Sequence, residues 1–147
     1  MDTDATPGAM RLEVHDSANP PGAAEVSAGL FRHFTERAGD WPRQPLTLIL
    51  RDAEGVVRGG IRAEIGVGWL EVDHFWLDDS LRGRGEGSRL LARAEEIARQ
   101  RGAIGAHLTT STFQAVGFYL KQGYVEIGRL KDRPVGHDKV WMSKRWG

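Results

Sequence analysis

At 147 residues, with 20 Lys and Arg balanced by 20 Asp and Glu, the chain has the size of one domain and no net charge, so no global field draws it to nucleic acid or an anionic membrane surface. It has no cysteine, which excludes disulfides, thiolate metal sites and a cysteine nucleophile. With no apolar run of membrane-spanning length and no secretion signal in MDTDATPGAM, the expected setting is the cytoplasm.

Residues 1–10 are small and polar and read as a disordered leader, which leaves 11–147 as a single domain. Leu12 and Val14 alternate with polar neighbours in a short strand, and Asn19 to Gly22 break it. From Ala23 to Ala38, Val26, Leu30 and Phe34 recur every four residues, which predicts an amphipathic helix that Gly39 can cap. Leu46–Arg51 and Val56–Ile65 read as a hairpin around a tight turn at residues 53–55, and Trp69–Leu77 as a third strand. A helix is expected over Ser88–Arg101, a strand over Ile104–Thr110, a short helix over Phe113–Gln122, and two last strands over Tyr124–Leu130 and Lys139–Ser143. This order predicts an α+β fold with a mixed, mostly antiparallel sheet flanked by helices.

The segment LRGRGEGSRLL, residues 81–91, carries the strongest chemical signal. Gly83, Gly85 and Gly87 alternate with charged residues just before the helix on which Leu90, Leu91, Ala94, Ile97 and Ala98 share a face. Glycines leave backbone N–H groups free to converge, and a helix start adds its positive dipole end, so the loop is suited to phosphate. A Walker loop would need Lys before Ser or Thr, and here Gly87 is followed by Ser88 and Arg89; the dinucleotide fingerprint GxGxxG is likewise not met by GRGEGS.

These residues resemble the GNAT superfamily of acyl-CoA-dependent N-acetyltransferases. Its pyrophosphate motif is met by Arg82, Gly85 and Gly87, and a downstream block of aromatic pair, glycine and aromatic is met by Phe118, Tyr119, Gly123 and Tyr124 of FYLKQGY. The resemblance covers residues 46–143 and, more loosely, the first strand and helix. It implies acetyl-CoA as acyl donor and an amine on a small molecule or peptide as acceptor. Backbone groups of Gly83, Gly85 and Gly87 would hold the diphosphate, with Arg82, Arg84 and Ser88 beside it and strand amides near Leu77 on the pantetheine arm. Thr112 stands seven residues before Tyr119, where many members carry an asparagine that touches that arm, so a weaker contact is expected there.

Acyl transfer to an amine needs a base for the ammonium, a donor for the oxyanion and a proton for the leaving thiolate. Glu71 and Asp73 are the candidate bases, since in WLEVDHFWL they alternate on one expected strand face with Trp69, Phe75 and Leu77. Glu71 also lies eleven residues before Arg82, where some members of the superfamily carry a catalytic glutamate. The resemblance gives Tyr119 the role of acid to the thiolate, and the backbone N–H near Leu77 that of oxyanion donor. Tyr124 reads as packing, and His74 as turned to the opposite face. The scattered histidines have no metal-ligand spacing, and no metal is expected.

The competing reading is a non-catalytic acyl-CoA sensor, which would keep the glycine loop without needing Glu71, Asp73 and Tyr119 to converge. Nucleic-acid binding finds no basic stripe. A homodimer is compatible with this kind of fold, but the sequence reveals no interface.

Overall fold

The computed structural model describes residues 2–5 and 8–147, the first four as backbone only. Its contacts divide the chain into two compact units, Met1–Asp40 and Trp41–Gly147.

In the first unit, β1 (Asp2–Ala5) pairs antiparallel with β2 (Arg11–Val14), Asp2 opposite Val14 and Ala5 opposite Arg11. Of the leader expected over residues 1–10, Asp2–Ala5 is therefore a paired strand, while Met1, Thr6 and Pro7 lie outside the described residues. Helix α1 spans Ala23–Ala38, as its four-residue apolar spacing predicts. Gly22, with φ of 96°, starts it, and the Gly39 N–H closes it on the Thr35 carbonyl. None of its residues is buried.

The second unit is built on a six-stranded sheet in the order β3-β4-β5-β6-β8-β7. Its strands are β3 (Gln44–Arg51), β4 (Val57–Gly66), β5 (Trp69–Leu77), β6 (Gly105–Ser111), β7 (Val125–Leu130) and β8 (Lys139–Arg145). All neighbours are antiparallel except β5 and β6, which run parallel because helix α2 (Glu86–Gln100) carries the chain back between them. Leu90, Leu91, Ala94 and Ala98 of α2 are buried in one core with Ile61, Ala63 and Ile65 of β4, Leu70 and Val72 of β5, Leu108 of β6, and Val140 and Met142 of β8. Burying each large aliphatic side chain in this core contributes about 1.5–3 kcal/mol before entropy is counted.

Both helices of this unit end in the same backbone motif. At the end of α2, Ala103 N–H bonds the Ala98 carbonyl and Gly102 N–H the Arg99 carbonyl, with Gly102 at φ of 91°. At the end of α3 (Val116–Lys121), Tyr124 N–H bonds the Tyr119 carbonyl and Gly123 N–H the Leu120 carbonyl, with Gly123 at 92°. These are Schellman closures, in which the left-handed residue is nearly always glycine. Helix α3 is shorter than the expected Phe113–Gln122 because Gln114 N–H returns to the Ser111 carbonyl and holds a turn ahead of the helix.

Candidate active site

The glycine loop opens a helix, as the sequence predicts. A short 3-10 turn at Asp79–Leu81 leads into Gly83 and Gly85, at φ of 78° and 73°, and α2 starts at Glu86. Gly85 is the N-cap and no side chain caps the helix, so the first-turn amides face outward unclaimed by a cap. A Cβ placed on Gly83 or Gly85 would meet nothing within 4 Å, so conformation rather than crowding selects glycine there. Gly87 is the reverse case. It is buried, and a Cβ on it would lie 3.1 Å from Leu77 Cδ1 and 3.3 Å from Phe118 Cε1. That closeness brings the start of α2, the end of β5 and helix α3 together.

Between β5 and β6 the sheet comes apart. Their parallel pairing runs from Trp69 and Gly105 to Val72 and Leu108 and then stops, although β5 continues to Leu77 and β6 to Ser111. The parting begins at a β-bulge: Arg62 of β4 faces His74, Ala63 faces Val72, and Asp73 has no partner between them. Beyond it, the Asp78 N–H donates to the Arg58 carbonyl over 2.7 Å. Amides alternate along an antiparallel ladder, so the Leu77 N–H, one residue back, points away from β4 into the gap. A donor expected from strand splaying near Leu77 thus has a geometric basis.

The bulge corrects the expected strand face. Simple alternation puts Glu71 and Asp73 with Phe75 and Leu77, but the extra residue reverses the phase after Asp73. Phe75 and Leu77 pack against the buried core, whereas Glu71, Asp73, His74 and Trp76 are exposed. His74, expected on the opposite face from the two acids, is thereby exposed on their side. Neither Glu71 nor Asp73 makes an ion pair or side-chain hydrogen bond among the described residues, while neighbouring acids are engaged: Glu64 with Arg43, Asp78 with Arg58 and Asp79 with Arg82.

Tyr119 lies on α3 and is 6% exposed, packed edge-on against Phe75 (6.3 Å between ring centres), Phe118 (5.2 Å) and Tyr124 (5.7 Å). Burial pushes its phenol up to about 12, so it holds its proton throughout the neutral range. Tyr124 is also buried, but its hydroxyl is committed: it donates to Glu95 Oε2 over 2.7 Å, while Lys144 Nζ donates to Glu95 Oε1 over 2.9 Å. Burial and the Glu95 carboxylate together raise the Tyr124 phenol still further. The packing role read for Tyr124 therefore includes a hydrogen bond to a helix 29 residues away in sequence.

The other candidates divide. Ser88 faces α3 and accepts a hydrogen bond from Gln122 Nε2 at 3.0 Å, and Gln122 is a residue to which sequence reasoning gave no role. Arg82 is exposed and paired with Asp79, and Arg84 is exposed beside the loop. Thr112 is turned elsewhere: its Oγ1 accepts from the Asp138 N–H and its own N–H donates to the Asp138 carbonyl, both at 3.0 Å, so it fastens the loop before β8. Among the described residues no three His, Asp or Glu gather into a metal-holding group, and no helix is long and apolar enough to cross a membrane.

The chain is similar in sequence and fold to known proteins. The model of the acetyltransferase (GNAT) family matches residues 11–124. Acetyltransferase Atu2258 of Agrobacterium fabrum is 30% identical over 137 residues, which cover 93% of this chain and all of that protein. Blasticidin-S acetyltransferase of Streptomyces morookaense is 45% identical over 83 residues, 56% of this chain and 61% of that one. The crystal structure of an acetyltransferase from Bacillus cereus superposes with a TM-score of 0.79 at 29% identity, covering 90% of this chain and 98% of that one.

Proposed function

We propose, for a chain that belongs to the acetyltransferase (GNAT) family, that it moves an acetyl group from acetyl-CoA to a primary amine of a small molecule or peptide by direct attack on the thioester. The observation that carries the reading is the parting of β5 from β6 beyond Val72, in the stretch of β5 where Phe75 packs on Tyr119 and Leu77 meets Gly87 of the glycine loop. A diphosphate fits the first-turn amides of α2 and the open space at Gly83 and Gly85. The arm then runs toward the Leu77 N–H, which is free to bond the arm or the oxyanion.

Tyr119 gives its proton to the departing thiolate, a role favoured by a phenol that stays protonated. Glu71 or Asp73, neither of them ion-paired among the described residues, takes the proton from the incoming ammonium, directly or through water. The family match crosses from the first unit into the second, which supports treating residues 11–147 as one functional domain. The blasticidin-S relative supports screening small-molecule amines before peptides.

Calorimetry with acetyl-CoA and CoA, followed by thiol release across a panel of amines, tests the proposal. Saturable binding is expected, with free CoA appearing only when a suitable amine is present. Tyr119→Phe should slow turnover by about 10²-fold while leaving acetyl-CoA affinity nearly unchanged. Equal losses in both would remove the acid role. Binding with no amine consumed anywhere in the panel would favour the sensor reading, in which the glycine loop is kept and Tyr119→Phe is silent.

A further inference from the structure

Gln122 caps the C-terminus of α3, and its side chain crosses to the first turn of α2, where Nε2 donates to Ser88 Oγ over 3.0 Å. The two residues are 34 apart in sequence and both are half-buried. The backbone of Gln122 is fixed by the turn that holds Tyr119: its N–H reaches the carbonyls of Phe118 (3.2 Å) and Tyr119 (3.0 Å), just ahead of the Gly123 closure. The side chain is thus a strut between the helix bearing the proposed acid and the helix opened by the glycine loop.

The direction of the bond gives the strut a chemical consequence. A serine hydroxyl has one hydrogen to give and two lone pairs to receive with. Since Gln122 donates, it fills a lone pair and leaves the Ser88 hydrogen to be given elsewhere. Ser88 does not spend its hydroxyl on capping α2, whose cap is Gly85 with no side-chain bond. It lies one residue from Gly87, where the loop, Leu77 and Phe118 meet.

We infer that Gln122 is a positioning residue: it turns Ser88 into a dedicated hydrogen-bond donor to the diphosphate and ties occupation of that cradle to the helix carrying Tyr119. The inference rests on the acyl-CoA reading above and deepens it by assigning a role to a residue outside the glycine motif.

A double-mutant cycle on CoA affinity tests it. Gln122→Met keeps the length of the side chain but not the donor, and Gln122→Asn keeps the amide but shortens its reach. Calorimetry with CoA should show Kd rising about tenfold in each and about tenfold in Ser88→Ala, the scale of one hydrogen bond to a charged group. The pairing of Gln122→Met with Ser88→Ala should be no worse than Ser88→Ala alone, because the strut has nothing left to position. The melting temperature without ligand should change little.

Wild-type affinity in Gln122→Met and Gln122→Asn overturns the inference. So does a loss that multiplies with that of Ser88→Ala, or a fall in melting temperature accompanied by a CoA loss that persists in full on the Ser88→Ala background, since either assigns Gln122 to packing alone. If the wild-type protein binds neither CoA nor acetyl-CoA, the acyl-CoA reading itself has failed, an outcome visible before any variant is made.

Discussion

Gly85 and Gly87 stand two residues apart and are glycine for different reasons. Gly85 sits at φ of 73° with empty space where a Cβ would go, so Gly85→Ala introduces strain without a clash. Denaturation in urea should register a loss of about 1–2 kcal/mol, the cost of placing an L-residue in the left-handed region. Gly87 has its Cβ direction filled by Leu77 and Phe118. Gly87→Val should therefore push Phe118, and with it the neighbouring Tyr119, and reduce turnover more than its effect on stability alone would suggest. The check is turnover and urea midpoint measured on the same preparation. Tyr119 adds a pH signature. With the phenol near 12, the rate on an alkylamine should show no falling limb from Tyr119 until the pH nears 12, which a pH–rate profile checks.

Among the α-helices, α3 does the most with the least length. Its six residues carry Phe118 and Tyr119, its Schellman turn delivers Gln122 and Tyr124, and Glu95 on α2 holds Tyr124 and Lys144 together. Removing that carboxylate with Glu95→Ala leaves a buried hydroxyl without its acceptor, which should cost about 1–3 kcal/mol in a urea titration. The two tyrosines also set an alkaline limit. Both phenols are raised in the folded protein, so the folded state holds protons that the unfolded chain releases near pH 10. The stability that they confer is complete below that pH and declines above it. Melting temperatures at pH 9, 10 and 11 should fall in that order, and less steeply in Tyr124→Phe.

Sequence reading reached many of these elements because their signals are local. The spans of α1 and β5 follow from periodicity, and the helix after the glycines from its apolar face. It missed what depends on pairing at a distance. β1 exists only through β2, the bulge at Asp73 only through β4, and the bonds from Thr112 to Asp138 and from Gln122 to Ser88 only once loops and helices have met. The faces assigned to Phe75, Leu77 and His74 therefore came out reversed, while Gly83 and Gly85 stand, as read, just before a helix.

At the scale of the whole molecule, charge is balanced in number. With 20 charges of each sign and a pI near 7.0, self-repulsion vanishes near neutrality. Solubility should pass through a minimum around pH 7 and improve toward pH 9, which precipitation with increasing concentration would show. The core lies in the second unit, where all of its buried residues are found, from Ile61 to Trp146. Because Asp73 is supernumerary to the ladder, excising it would leave Leu70, Val72, Phe75 and Leu77 in unbroken alternation on the core side and would remove only the bulge at which β5 begins to part from β6. One surplus residue thus works as the wedge of that strand, and exchanging it for another amino acid, which keeps the wedge, is a different act from leaving it out.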